Sequence, residues 1–480
     1  MISAQLKQKK KGVDLTEGPI LAKVIKFVLP LMATNFLQTF YNAADLMVVS
    51  MSSEANAVGA IGATGSLTNL LINLYAGFGA GTTILVARYL GAKDHERVTK
   101  TVHTSVLMSL IFGLCTTMIG LFASRPILSL MGADGAVLDL ATVYTTIYFC
   151  GSPFLALTNY LSAIFRAKGD TSTPLRVLSV SGIVNVLLNL LFVLGFGLSV
   201  EGVALATAIA NLLSASTLLY LLSRDDSPCR FSFNKCKIDS KSFLGIVREG
   251  LPAGIQGSIF SFSNVVIQSS IFKVNTAVVG VGSEYAPIVN GTSAMANLDH
   301  FINTAINSVY QASITFTSQN YGAKKYKRIW RVMGVTALFS VVVAFIFGGF
   351  MIIFRNPLLA LYGIKDGIEG SMENLAYRAA LTRMSCMTCT YALLGLMNTG
   401  TGVMRGLGRT LTSTIISLIG ACALRITWAT LVFEIFPGAD PFTQLALVYV
   451  AFPATWLITS AAQFTFSSVV LKRKACEIGQ

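Results

Sequence analysis

"ARYLGAKDHERV", residues 87–98, returns as "SQNYGAKKYKRI" at residues 318–329. Gly91-Ala92-Lys93 falls on Gly322-Ala323-Lys324, an offset of 231. The same offset carries "RPILSLMGA" (125–133) onto "NPLLALYGI" (356–364), so that Pro126 meets Pro357. Further along, "NYLSAIFRAKGDT" (159–171) matches "NTGTGVMRGLGRT" (398–410) at an offset of 239. Pro30 in "LPLM" corresponds to Pro252 in "LPAG". Matches in the same order across two halves read as a duplicated unit.

Composition says what the unit is made of. Of 480 residues, 53% are hydrophobic and only 12% charged, where a soluble domain carries roughly 25% charge. Mean hydropathy is +0.66. Such a chain cannot make a water-soluble surface. Apolar runs of about 20 residues, enough to cross ~30 Å of hydrocarbon as a helix, recur along its length. Backbone in lipid must satisfy itself, as a helix or a closed barrel. The runs are continuous rather than alternating, so they predict helices. About twelve spans are expected, near 20–50, 57–88, 99–123, 136–166, 172–195, 200–222, 242–272, 285–320, 329–354, 374–405, 410–434 and 442–471. The first is too long for a signal-peptide core and is expected to be retained.

The net charge of +14 is distributed by loop. Lys7, Lys9, Lys10 and Lys11 precede the first span, and Lys93, Arg97 and Lys100 follow the second. Basic residues also follow the fourth, sixth, eighth, tenth and twelfth spans, while the other loops hold only Arg125, Lys273, Arg355 and Lys365. Basic loops stay cytoplasmic, which predicts both termini inside and no role in nucleic-acid binding. Six spans per half is even, so the halves enter the membrane from the same side. The expected fold is an all-α integral membrane protein of two parallel-repeat six-helix bundles. Its expected parts are a tail 1–18, a bundle 19–222, a basic linker 223–241, a bundle 242–471 and a tail 472–480. Two homologous bundles that rock against each other suit alternating-access transport.

The eight cysteines show no paired spacing, and the three histidines form no ligand cluster. Cys386 and Cys389 make a C-x-x-C inside an apolar run without partners. No metal site, no cofactor and no enzyme activity are therefore expected. No Walker A pattern follows a strand, so ATP is not the expected energy source. The glycines at 59, 62, 65, 77, 79 and 81 read as close helix packing. Pro30 and Pro252 are expected to bend their helices.

The motifs "LP" in the first span, "YNAADLMVVS" (41–50), "GAK" after the second span and "FRAKGDTSTP" after the fourth, taken in order, resemble the multidrug and toxic compound extrusion (MATE) family. "NVLLNLLFVLGFGLSVEGVALATAIAN" and the C-terminal echoes extend the resemblance from about Pro19 to Lys474. It implies a cation-coupled antiporter, driven by protons or sodium, that expels amphipathic, often cationic organic compounds. The expected setting is a cell inner (plasma) membrane, with the lipid bilayer and small organic substrates as partners of a monomer.

Charge inside a span is the sharpest chemical signal, because a charged side chain at mid-membrane costs about 2.5–3.5 kcal/mol on insertion scales. Of 22 acids, only Asp45 and Asp299 fall well inside expected spans. Asn42 precedes Asp45 by three residues, on the same helix face. Asn185 and Asn189 share a face of the fifth span. The resemblance maps its cation-coupling aspartate onto Asp45 and a fifth-span asparagine onto Asn185. Several relatives carry an aspartate where this chain has Asn189, so one negative charge is missing. Asp45, Asn185, Asn189 and Asn42 form the candidate coupling site, with Phe36, Tyr41, Thr207 and Asn211 as cavity lining. In the C-terminal half, Asp299, Arg383 and Arg425 form a second polar site. Asp299 and Arg425 lie at similar depths and are expected to share a network. Cavity cations such as Arg383 and Arg425 keep open an alternative, a flippase for lipid-linked saccharides or a similar amphiphile.

Overall fold

The computed structural model describes residues 14–52, 54, 56–280, 283, 285–436 and 438–477. The basic residues Lys7 to Lys11 lie outside them. The first half forms α1 (Ile20–Ser50), α2 (Ala57–Gly91), α3 (His95–Leu130), α4 (Gly135–Cys150), α5 (Ser152–Ala167), α6 (Ser172–Leu190) and α7 (Val200–Ser223). The second half forms α8 (Ser240–Val279), α9 (Pro287–Gly322), α10 (Tyr326–Ile353), α11 (Arg355–Ala360), α12 (Met372–Met387), α13 (Tyr391–Gly406), α14 (Thr410–Ser417), α15 (Leu424–Ile435) and α16 (Pro441–Glu477). The twelve expected spans are all helical. Two of them continue through a π-helical turn, Leu191–Gly195 after α6 and Leu418–Ala423 between α14 and α15.

Among the described residues, eight helices are long and apolar enough to cross a membrane singly, and the bent pair α4–α5 makes a ninth. α8, α9 and the pair α12–α13 complete the twelve and are more polar. α9 alone carries Asp299, His300, Asn303, Asn307 and Gln311.

The 49° bend between α4 and α5 has a local cause. Pro153 has no N–H to give the Phe149 carbonyl one turn back. The Thr117 hydroxyl of α3 donates to that carbonyl instead, at 2.8 Å. The Ser152 hydroxyl donates to Gly113 O at 2.9 Å. The Thr117 hydroxyl of the neighbouring helix thus satisfies the carbonyl that the break frees, as backbone in lipid requires. α1 and α8 run through Pro30 and Pro252 as continuous helices.

The chain divides into two compact units, Met1–Ile255 with Ser318–Lys325, and Gln256–Thr317 with Tyr326–Gln480. Within the first, the residues after α7 are tied to α3 and α5. His103 Nε2 accepts the Ser232 N–H at 3.0 Å, and its ring stacks on Phe231. Lys168 and Asp225 form an ion pair at 2.6 Å with both side chains nine-tenths buried. A strap before α1 lies against the end of α9. Leu15 is 1% exposed, its N–H donates to Gln319 Oε1 at 3.2 Å, and Asn320 Nδ2 donates to its carbonyl at 3.3 Å. Gln319 Nε2 also donates to Ala167 O, at 2.7 Å.

The internal repeat reappears in backbone conformation. Lys93 and Lys324 both take positive φ, 57° and 56°. So do Gly132 and Gly363, and Gly169 and Gly408, at the offsets read from the sequence. The two GAK motifs also meet within the first unit. A Cβ on Gly91 would overlap the Gln319 carbonyl, and a Cβ on Gly322 would overlap the Arg88 carbonyl. Gly77 and Gly81 likewise touch the α8 backbone near Gly250. Gly59, Gly62 and Gly65 do not fit the packing expectation, because nothing lies within 4 Å of their Cβ positions.

Candidate functional site

α1 and α6 lie side by side in the first unit. Gly182 allows the closeness, since any Cβ there would overlap the Tyr41 ring. The Tyr41 hydroxyl donates to Ser179 O at 3.2 Å. Tyr41 is thus a clamp between the two helices more than a free wall of a cavity. One turn past it, Asp45 is half-buried and accepts a hydrogen bond from Asn189 Nδ2. Asn189 is 0% exposed and Asn185 5%. Asn189 Nδ2 also reaches Asn185 Oδ1 at 3.5 Å, and Asn185 Nδ2 reaches Thr207 Oγ1 of α7 at 3.4 Å.

The result is a polar line, Asp45–Asn189–Asn185–Thr207, across three helices. No ion pair to Asp45 occurs among the described residues. Asn189 Oδ1 is buried without a hydrogen-bond donor among them. The π-helical turn begins two residues after Asn189. Such turns widen the helix by one residue and recur at functional sites.

Other expected members stand apart. Asn42 is exposed and does not hydrogen-bond to Asp45 or Asn189. Three residues put it only about 60° from Asp45 around α1, yet its side chain is exposed and takes no part in the line. Asn211 contributes only its backbone carbonyl, to Thr158 at 3.4 Å. Phe36 is partly buried on α1. Two residues escaped the sequence reading. Tyr144 and Tyr148 of α4, stacked at 5.9 Å, lie within electrostatic reach of Asp45. Their i, i+4 spacing in "YTTIY" was the available signal.

In the second unit the expected pairing of Asp299 with Arg425 is corrected. Asp299, 1% exposed, accepts from Arg383 Nε at 2.9 Å. Arg383 also donates to the Tyr449 hydroxyl at 3.3 Å. Arg425 instead stacks over the Phe452 ring at 4.0 Å and donates to Thr455 Oγ1 at 3.3 Å. Equal depth along two helices does not set which faces oppose, and α12 supplies the nearer cation. Arg405 is a third buried guanidinium, bonded to Tyr310 and to Gln256 Oε1 at 2.9 Å.

Comparison with known proteins gives one answer. The MatE family model matches twice, over residues 30–191 and 260–431, in register with the internal repeat. The chain is 26% identical over 464 residues to the probable multidrug resistance protein YoeA of Bacillus subtilis, covering 93% of each chain. It is 25% identical over 251 residues to the multidrug export protein MepA of Staphylococcus aureus, covering 52% of this chain and 56% of that one. A solved outward-facing multidrug resistance MATE transporter of the MOP superfamily superposes with a TM-score of 0.85 at 19% identity, over 97% of this chain and 98% of that one. A MOP superfamily transporter from Pyrococcus furiosus, described by the reversed polarity of its binding pocket, gives 0.85 at 20% identity, over 97% and 98%. Both copies of the repeat being matched by its model, the chain belongs to the MatE family of multi-pass membrane proteins.

Proposed function

We propose that the protein is a secondary active antiporter. It exports amphipathic, cationic organic compounds in exchange for protons or sodium, by alternating access. The observation that carries this reading is the hydrogen-bonded line from Asp45 through Asn189 and Asn185 to Thr207. Asp45 has no fixed counter-charge there, so three partners can satisfy it in turn. A proton converts it to an acid. A sodium ion takes hard oxygen ligands, and the carboxylate together with the Asn189 and Asn185 carbonyl oxygens is such a set. An organic cation can face the anion directly. Exchange follows if ion and substrate each stabilise a different arrangement of the bundle. The names of YoeA and MepA support the substrate class.

The test is efflux of a fluorescent organic cation from proteoliposomes under an imposed proton gradient, then a sodium gradient. Asp45→Asn keeps size and hydrogen bonding and removes the charge. It is expected to express normally and to lose ion-driven efflux. Efflux at the parent rate under the same gradient removes Asp45 as the coupling residue. The flippase alternative retains one supporting observation, the Arg425 guanidinium, which no carboxylate neutralises among the described residues. Transbilayer movement of a lipid-linked saccharide without any ion gradient is the result that favours it.

A further inference from the structure

α10 begins beside the basic loop of Lys324 and Lys325 and runs 28 residues. At ~1.5 Å per residue it ends about 42 Å away, at the opposite side of the bilayer. There a cavity of about 540 Å³ opens in the second unit. Its apolar wall is Ile352, Leu381, Met384 and the Phe442 ring, and its rim carries Arg355 and Arg378. The Tyr377 hydroxyl donates to Asn356 Oδ1 at 2.7 Å, which ties α11 to α12 and holds the two arginines on one rim.

Neither arginine makes an ion pair among the described residues. Asp440, the acid beside Phe442, accepts the Phe442 and Thr443 N–H groups on Oδ2 and forms no ion pair with either arginine. Arg378 stacks on Phe442 with its guanidinium carbon 4.2 Å from the ring centroid. Stacking uses the face of the guanidinium and leaves the in-plane N–H donors directed outward. Those donors match phosphate oxygens in forked pairs. Two unneutralised arginines above an apolar wall at a membrane boundary complement one kind of molecule, an anionic head on a hydrocarbon chain.

We propose that this cavity binds an anionic glycerophospholipid of the leaflet opposite the basic loops. Its phosphate sits between Arg355 and Arg378, and an acyl chain runs along Ile352 and Leu381. The site is independent of the Asp45 reading. A phospholipid here covers α12, the helix whose other face presents Arg383 to Asp299.

Cys389 lines the same cavity and is exposed, so it reports occupancy. The full-length protein in detergent is treated with N-ethylmaleimide, and alkylation at each cysteine is read by peptide mass spectrometry. Cys476, exposed and near the C-terminus, is the internal control. Dioleoylphosphatidylglycerol at about ten times its Kd leaves about one site in ten free, so Cys389 alkylation slows about ten-fold while Cys476 is unchanged. Dioleoylphosphatidylcholine and inorganic phosphate are expected to leave both rates unchanged. In the Arg355→Gln/Arg378→Gln double variant, phosphatidylglycerol is expected to lose its effect. The single variant Arg355→Gln gives a second, milder reading should the double variant fold poorly, with protection weakened at the same lipid concentration. Equal protection by phosphatidylcholine, protection by phosphate alone, or full protection in the variants overturns the proposal.

Discussion

Asp45 and Asp299 are both carboxylates inside long helices, and they differ in what faces them. Asp45 faces amides, which accept either protonation state. Asp299 faces the Arg383 guanidinium at 2.9 Å, with the two side chains 2% and 14% exposed. A buried pair of that kind ties Asp299 to one fixed partner, whereas no ion pair to Asp45 occurs among the described residues. Removing one partner of a buried pair leaves the other stranded, at a cost of about 3–5 kcal/mol. Asp299→Ala is therefore expected to lower the melting temperature of the purified protein sharply, and the double variant Asp299→Ala/Arg383→Met to recover much of it. Recovery by Arg425→Met instead would restore the pairing read from depth alone. The sequence marked Asp45, Asn185, Asn189 and Asp299 because charge and amides in lipid are expensive. It chose Arg425 on depth alone, and the structure gives Arg383. Arg383 and Asp299 are 84 residues apart, and their contact depends on how two helices are rotated about their axes.

Elements were legible to within a few residues where they are apolar and continuous. α1, α2 and α7 follow hydropathy closely, because lipid imposes the length of a span. The π-helical turns were not legible. A π turn is one extra residue in an otherwise α-helical run, and no residue type marks it. Nor did glycine content distinguish open space from backbone contact. Gly65 and Gly81 read alike in the sequence, yet only Gly81, like Gly91 of the GAK motif, lies against another helix backbone. Overpacking at such a contact costs typically about 1–3 kcal/mol. Gly91→Ala and Gly322→Ala are each expected to lower thermal stability, whereas Gly65→Ala is neutral or slightly stabilising. Equal melting temperatures for all three would show that the two GAK segments can part without loss.

The duplication was the most legible feature of the whole molecule, since sequence offsets and positive-φ positions coincide. Orientation in the membrane rests on the distribution of charge. That distribution leads to the proposal that both termini and residues 223–241 are cytoplasmic, and a cysteine placed in that segment is then expected to be shielded from outside. Ser227 is half-buried and bonded to Asp225 Oδ2 at 2.6 Å, so the exposed Asn234 is the better position. In a background lacking the native cysteines, Asn234→Cys is expected to resist an impermeant thiol reagent on intact cells and to react once they are opened. Ready labelling from outside would invert the topology.

The strap at Leu15 sets an order of events during synthesis. Its hydrogen-bond partner Gln319 lies 304 residues further along the chain. At about 5–20 residues per second, the ribosome needs roughly 15–60 s to supply that partner after the strap has emerged. In that interval Leu15 and its backbone groups are without the contacts that Gln319 and Asn320 provide, while all six spans of the first repeat are made. The strap therefore waits for its partner, and its docking marks the arrival of the second repeat.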